Sequence, residues 1–272
     1  FCQMMKRGVI LALAAGLCLS AGCTRYEEVS VTADVKETEE TKVIQITEPE
    51  TEPETEDDRE LLRIEKDGKI PSYLTGEMTD LAIAWRRPVA IMISNDKAAL
   101  PHYGINHAGV IYEAPVEGGM NRFMAVIEDY DNLERIGSVR SCRTYYTFFA
   151  REFEAVYAHF GQSVFARPYL EKMEHLNGIE GKGSVAFYRT KDKKAPHNAY
   201  ASGERIQKAI EAMGYSQEYP ESYTGHYRFS KKEYPVMLEN GFSAAFVRPG
   251  YVMNDPWFEY NADDGLYYRF QY

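Results

Sequence analysis

Cysteine is scarce in this 272-residue chain, and its four copies are badly placed for a disulfide framework. Cys2, Cys18 and Cys23 crowd the N-terminus, so Cys142 stands alone in the remainder. A lone thiol makes no internal bridge, and a small buried side chain is the favoured reading over a nucleophile. Zinc-ligand spacing, a nucleophile elbow around serine, a paired-carboxylate signature and a dinucleotide fingerprint are all missing. Gly118-Gly119 lacks the Lys-Ser/Thr of a phosphate loop, and His102 and His107, five apart around Gly104, make a weak metal pattern. No metal or cofactor is therefore expected. An excess of basic charge is lacking too. Residues 1–60 carry 14 acidic and 6 basic side chains, whereas residues 61–272 carry 27 and 25. The net charge of −10 thus belongs mostly to the N-terminal segment. A near-neutral remainder offers no electrostatic case for nucleic acid.

Long apolar runs are also few. The run over residues 8–19 is about a dozen residues, too short to span a bilayer comfortably. It follows Lys6-Arg7 and ends in Leu19-Ser20-Ala21-Gly22-Cys23, which resembles a lipobox. Small residues fit the backbone into a peptidase cleft, and the Cys23 thiol would accept the lipid. Ser20 stands where the usual pattern has leucine, and an ordinary cleaved signal peptide is the alternative. Phe1-Cys2-Gln3 read as residues upstream of a start at Met4 or Met5. The expectation is a signal peptide over residues 1–23, lipidation at Cys23, and residence on the extracytoplasmic face of the cell membrane. Residues 24–69 read as an acidic disordered tether, with Thr-Glu-Pro-Glu repeated between Thr47 and Glu56. Such a segment buries too little apolar surface to offset chain entropy.

What is plentiful is aromatic side chain, at 13% of residues, enough for a substantial core. Order is expected from Ile70-Pro71 onward. Continuous or alternating apolar stretches predict strands at 88–94, 109–114, 122–129, 135–139 and 155–159. Helical spacing predicts helices at 144–153, 165–176 and 201–213, the last opened by Ser202 with Glu204 in its first turn. Interleaved elements indicate an α/β fold, a layered sheet flanked by helices, over 70–215. Residues 216–272 are tyrosine- and turn-rich, with strands at 244–248, 257–260 and 266–272 and a hairpin turn at 261–265. They read as the start of a smaller β-rich domain that the sequence leaves incomplete.

Polar groups concentrate on loops beside these strands. Glu113, Glu117 and Arg122 flank Gly118-Gly119; Arg140 and Arg143 sit at a strand-to-helix junction; Arg189, His197 and Asn198 precede the last helix; His159 ends a strand. Loops beyond strand carboxyl ends gather at one crevice in open α/β sheets. Arg140 and Arg143 beside a helix start would suit phosphate or carboxylate. His159, His197 and Glu117 are candidates for proton transfer. The bland alternatives are ion pairs between these arginines and Glu113 and Glu117, a core histidine at 159, and a helix entry at Pro196-His197-Asn198.

The blocks 87–93, 111–123 (Ile-Tyr-Glu-Ala-Pro-Val-Glu-Gly-Gly-Met-Asn-Arg-Phe), 136–143 (Ile-Gly-Ser-Val-Arg-Ser-Cys-Arg) and 195–198 (Ala-Pro-His-Asn) resemble the YerB-like lipoprotein family, in the family's order over 70–215. The resemblance implies an exported lipoprotein with a smaller C-terminal domain, and no established activity. Family members carry alanine where Cys142 stands, which argues against a cysteine nucleophile. A looser similarity links Arg122–Ile127, Val139-Arg140-Ser141 and Tyr157–Gly161 to the LytR-CpsA-Psr phosphotransferases, though Ser141 and Cys142 replace the acid that would hold magnesium. The combined expectation is a lipid-anchored envelope protein that binds an anionic envelope ligand through Arg122, Arg140, Arg143, Arg189 and Asn198. The alternatives are an enzyme acting on a cell-wall glycan or lipid-linked precursor, and a scaffold for wall-synthesis proteins. Expected partners are the membrane, a wall polymer or precursor, and other envelope proteins.

Overall fold

The computed structural model describes residues 59–272, apart from Met237 and Glu239. The leader, Cys23 and the tether up to residue 58 lie outside the described residues. Among the described residues, no helix is long and apolar enough to cross a membrane.

The centre is a five-stranded mixed sheet in the order β4-β5-β3-β7-β8. Its middle strand, β3 (Val89–Ser94), is buried along its whole length, as the continuous run Val-Ala-Ile-Met-Ile requires of a sheet covered on both faces. On one side β3 pairs antiparallel with β5 (Asn121–Ile127), from Val89↔Ile127 to Ser94↔Arg122. Beyond it lies β4 (Val110–Pro115). On the other side β3 pairs parallel with β7 (Val156–His159), which pairs parallel with β8 (His175–Asn177).

Side chains alternate between the two faces. Val89, Ile91, Ile93, Phe123 and Ala125 meet Ile206, Ala209 and Ile210 of helix α4 (Gly203–Met213) in one core. Ala90, Met92, Met124 and Val126 meet Tyr146 and Ala150 of helix α2 (Thr144–Arg151) in the other. Helix α4 starts where its sequence signals it: Ser202 Oγ accepts from Arg205 N, and Gly214 closes it at φ 72°. Gly203 is demanded by close approach, because a Cβ there would lie 1.9 Å from Tyr130 O. The strand expected at 135–139 shortens to β6 (Ile136–Gly137), in a small antiparallel sheet with β10 (Ala199–Ala201) and β9 (Phe187–Arg189). The chain then crosses to the main sheet, where Ser94 N donates to Ser138 O at 2.9 Å.

Two expectations need correction. The helix expected at 165–176 is a 3-10 turn (Val164–Ala166) followed by the short helix α3 (Arg167–Leu170) with Pro168 in its first turn. Residues His175–Asn177 then extend the sheet as β8, so pairing with β7 overrides helical spacing. The tether, expected to run to residue 69, has structured contacts from its last ten residues. Leu61 N donates to Phe229 O at 2.8 Å, and the Arg63 guanidinium sits 3.4 Å above the Tyr73 ring. Strand β1 (Lys69–Pro71), β2 (Met78–Asp80) and the single turn α1 (Leu81–Ala84) follow.

Beyond α4 the chain first wraps back on the sheet. Arg87 N donates to Gln217 O, and Tyr219 and Tyr223 pack on Tyr73. Strands β11 (Phe246–Val247), β12 (Trp257–Asn261) and β13 (Leu266–Phe270) then form an antiparallel sheet around the expected hairpin. Arg269 grips Glu113 with Nε–Oε2 at 2.9 Å and Nη2–Oε1 at 2.7 Å, and the fully buried Asn254 donates to Asn95 O.

Candidate functional site

Because β3 and β7 run parallel, their carboxyl ends open on one edge of the sheet. Strand β5 runs the other way and starts there with Asn121-Arg122, while β4 ends there with Ala114–Pro115. Four of the expected site residues meet on this rim. Arg122 is buried at 7% exposure and its Nη1 donates to Ser141 O. Burial first, then the positive charges of Arg143 and Arg140, push its guanidinium down to about 10. Arg143 forks onto Glu117, with Nε 2.6 and 2.8 Å from the two carboxylate oxygens and Nη2 at 2.6 Å. That bond holds the Glu117 carboxyl down at about 2. Arg140 has no such partner. It is half-buried, its Nη1 is inaccessible to solvent, and that nitrogen meets no acceptor among the described residues. Burial and Arg143 both lower its pKa, opposed by Asp96.

His197 borders the same group. Burial lowers its pKa, with Arg140 and Lys193 adding repulsion against Asp96, and its buried Nδ1 meets no partner among the described residues. Arg189 and Asn198 bond to each other instead, the guanidinium lying 4.6 Å over the Phe160 ring. They approach the rim through Phe160, whose N–H donates to Arg140 O at 3.0 Å.

His159 does not open onto the rim. It has no solvent exposure, Nδ1 contacts Gly161 O at 2.8 Å, and Nε2 contacts His175 Nδ1 at 3.0 Å. Burial drives its pKa down to about 3. Both ring nitrogens are committed inside the fold, which leaves none for proton transfer to a guest. The bland alternative applies at this position. Cys142 is likewise buried, and burial raises its thiol to about 11. Glu113 does not pair with the rim arginines, because Arg269 takes it. His102 Nε2 contacts Ser94 O at 2.9 Å, and His107 ends a 3-10 turn (Ile105–His107).

Sequence reasoning passed over Asp96, which faces Arg140 and His197, and Ser138, whose buried Oγ has no partner among the described residues. Asp96 lies two residues beyond the end of β3, so its place just past a strand end was a usable signal for it. Two polar cavities are lined by none of Glu117, Arg122, Arg140 and Arg143. One of about 370 Å³ is lined by Arg87, Arg151, Lys172 and Glu174, and one of about 280 Å³ by Gln162, Arg167, His175 and Glu180.

Comparison with known proteins fits this architecture. Residues 74–216 match the family described as "Protein of unknown function (DUF3048) N-terminal domain". A Bacillus subtilis (strain 168) protein named "Putative lipoprotein YerB" is 36% identical over 149 residues, covering 54% of this chain and 44% of that protein. The chain thus spans less than half of that relative's length. The crystal structure of the YerB protein from Bacillus subtilis superposes with a TM-score of 0.58 at 28% identity, covering 74% of this chain and 66% of that one. The sheet and its flanking helices are therefore those of a YerB-like protein, and the chain belongs to the DUF3048 family through its N-terminal domain.

Proposed function

We propose that the chain is an envelope lipoprotein, anchored through Cys23 on the outer face of the cell membrane, whose arginine rim binds an anionic ligand. The lipobox-like leader and the relative's name support the anchoring. One observation carries the binding: Arg140 Nη1 is buried without an acceptor among the described residues, beside two further guanidinium groups. A buried charged donor left unpaired is costly, and folds retain such groups where a guest completes them. Glu117 is already committed to Arg143, so the rim has more positive groups than carboxylates to balance them. A phosphate or carboxylate bridging Arg140 and Arg122 would supply the missing acceptor, with His197 as a neighbouring hydrogen-bonding group.

The test is titration calorimetry of the full chain with inorganic pyrophosphate at low salt. Arg140→Ala is expected to weaken binding by roughly 10- to 100-fold, the range for one charged hydrogen-bonding group. Its melting temperature should stay close to that of the parent. Absence of binding by the parent, or unchanged affinity in Arg140→Ala, overturns the reading.

A further inference from the structure

Between α3 and the edge strand β8 lies the polar cavity of about 280 Å³, lined by Gln162, Arg167, Leu170, Glu171, His175 and Glu180. His175, in its wall, forms a pair with His159. The two rings lie 17° from parallel with centroids 5.1 Å apart. Their protons can be placed by elimination. Gly161 O can only accept, so His159 Nδ1 carries a hydrogen. Full burial keeps this ring neutral, so His159 Nε2 is bare and must accept from His175 Nδ1. With His175 neutral, as its burial favours, that fixes the second tautomer. His175 Nε2 holds a lone pair, on the side of the ring away from His159, and makes no hydrogen bond among the described residues.

The other cavity groups are held in place as well. Asn177, 4% exposed, donates through Nδ2 to Gln162 Oε1 at 3.0 Å and to Glu180 Oε1 at 3.1 Å. Gln162 Nε2 reaches the same Glu180 oxygen at 3.3 Å. The lining thus offers acceptors at His175, Glu171 and Glu180, donors at Arg167 and Gln162, and an apolar wall at Leu170. Among the described residues, no three His, Cys, Asp or Glu side chains group as metal ligands would. An anion would face two carboxylates here, and a cation would face Arg167. A hydroxyl both donates and accepts, so a ring of hydroxyls matches the whole set.

We propose that this cavity is a second ligand site, which takes a neutral polyhydroxylated ring the size of one sugar unit. In it His175 Nε2 accepts a hydrogen bond from a ligand hydroxyl, and His159 holds the imidazole in the tautomer that allows this. The site stands on its own residues and does not depend on the arginine rim.

The experiment uses the full chain with ¹⁵N-labelled histidine, observed by long-range proton–nitrogen correlation. Without ligand, His159 should show a protonated Nδ1 and His175 an unprotonated Nε2. Glucose or N-acetylglucosamine should shift His175 Nε2 saturably, with inorganic phosphate and methylammonium as charged comparators. His175→Asn retains a donor toward His159 but loses the cavity lone pair. It should weaken sugar binding roughly five- to tenfold, the effect of one neutral hydrogen bond. A protonated Nε2 on His175 in the parent overturns the proposal, as does the lack of a saturable sugar shift. Tighter binding of phosphate or methylammonium overturns the ligand class, and unaltered sugar affinity in His175→Asn overturns the role of the imidazole. The tautomer readout needs no variant, so it decides even if the substitution prevents folding.

Discussion

Buried arginines occupy both ends of the central sheet, and the two ends treat them differently. At the end where β3 begins, Arg86 reaches Asp131 and Glu128 O and lies 4.3 Å over the Tyr130 ring. Its neighbour Arg87 bonds Glu174, Glu154 O at 2.6 Å and Ser216 O at 3.1 Å. Of the buried nitrogens of this pair, Arg86 Nε alone meets no acceptor among the described residues. At the end where β3 stops, Arg122 rests on one backbone carbonyl, Arg143 takes Glu117, and Arg140 has a buried nitrogen with no acceptor among the described residues. The residue type and the sheet are alike, and Arg122 lies as deep as Arg86 and Arg87, so the contrast lies chiefly in the supply of acceptors. One end is a fastener in which carboxylates and carbonyls answer the guanidinium groups. The other has an excess of donors, which is how a site for an anion is built.

The sharpest way to break this contrast is to remove one arginine from each end. Arg87→Ala strips a buried guanidinium from three partners on separate segments, and Glu174 loses its cation. We expect a loss of about 3 kcal/mol, the lower end for breaking a buried pair, because Glu174 keeps some access to water. For a domain of this size that is roughly 6–12 °C in melting temperature. Arg140→Ala should cost less than about 1 kcal/mol, since it removes an unsatisfied donor as well as a side chain. Urea unfolding followed by fluorescence of the two tryptophans measures both. Equal losses would mean that the rim is a fastener too.

The next effect concerns histidine. His159 is held neutral by burial until about pH 3, whereas an unfolded imidazole takes up a proton near 6.5. Between those limits the unfolded state binds more protons, so stability falls as pH is lowered through the window. His102, His175 and His197 are displaced in the same direction. The slope from His159 alone is about 1.4 kcal/mol per pH unit well below 6.5. His159→Asn retains a donor toward Gly161 O and does not titrate, so its stability should vary less with pH between about 5 and 6.5. Parallel pH profiles for parent and variant would show that His159 ionises inside the fold.

How much of this was legible in the sequence depended on range. Strand β3 was readable because five consecutive apolar residues admit little else, and α4 because Ser202 and Gly214 mark its ends. Strand β8 was hidden: its three residues, His-Leu-Asn, have no alternation to display, and its only justification is the neighbour it pairs with. That omission spread. Without β8 nothing placed His175 beside His159, so a core histidine and a reactive one looked the same. The arginines of the rim were found because they follow or precede recognisable strands. Glu117 was found as a partner and pairs with Arg143, but Glu113 was not placed correctly, because its pairing with Arg269 rests on a contact 156 residues away in sequence.

The smallest effect probes the rim itself. Glu117 is 67% exposed at its side chain, so its pair with Arg143 contributes under about 1 kcal/mol to folding. Its larger influence should be on the guest. With the carboxylate gone, the Arg143 fork is released and one negative charge no longer opposes an incoming anion. At a separation of several ångströms in a wet rim, that repulsion is on the order of 0.7 kcal/mol. Glu117→Gln should therefore bind pyrophosphate about threefold more tightly than the parent, with the gain shrinking as salt is added. A melting temperature within a degree or two of the parent is expected alongside. If affinity falls instead, the Glu117–Arg143 pair is itself part of the binding surface, holding the arginine in place. The two ends of the sheet would then differ in what their ion pairs serve rather than in how many acceptors they have.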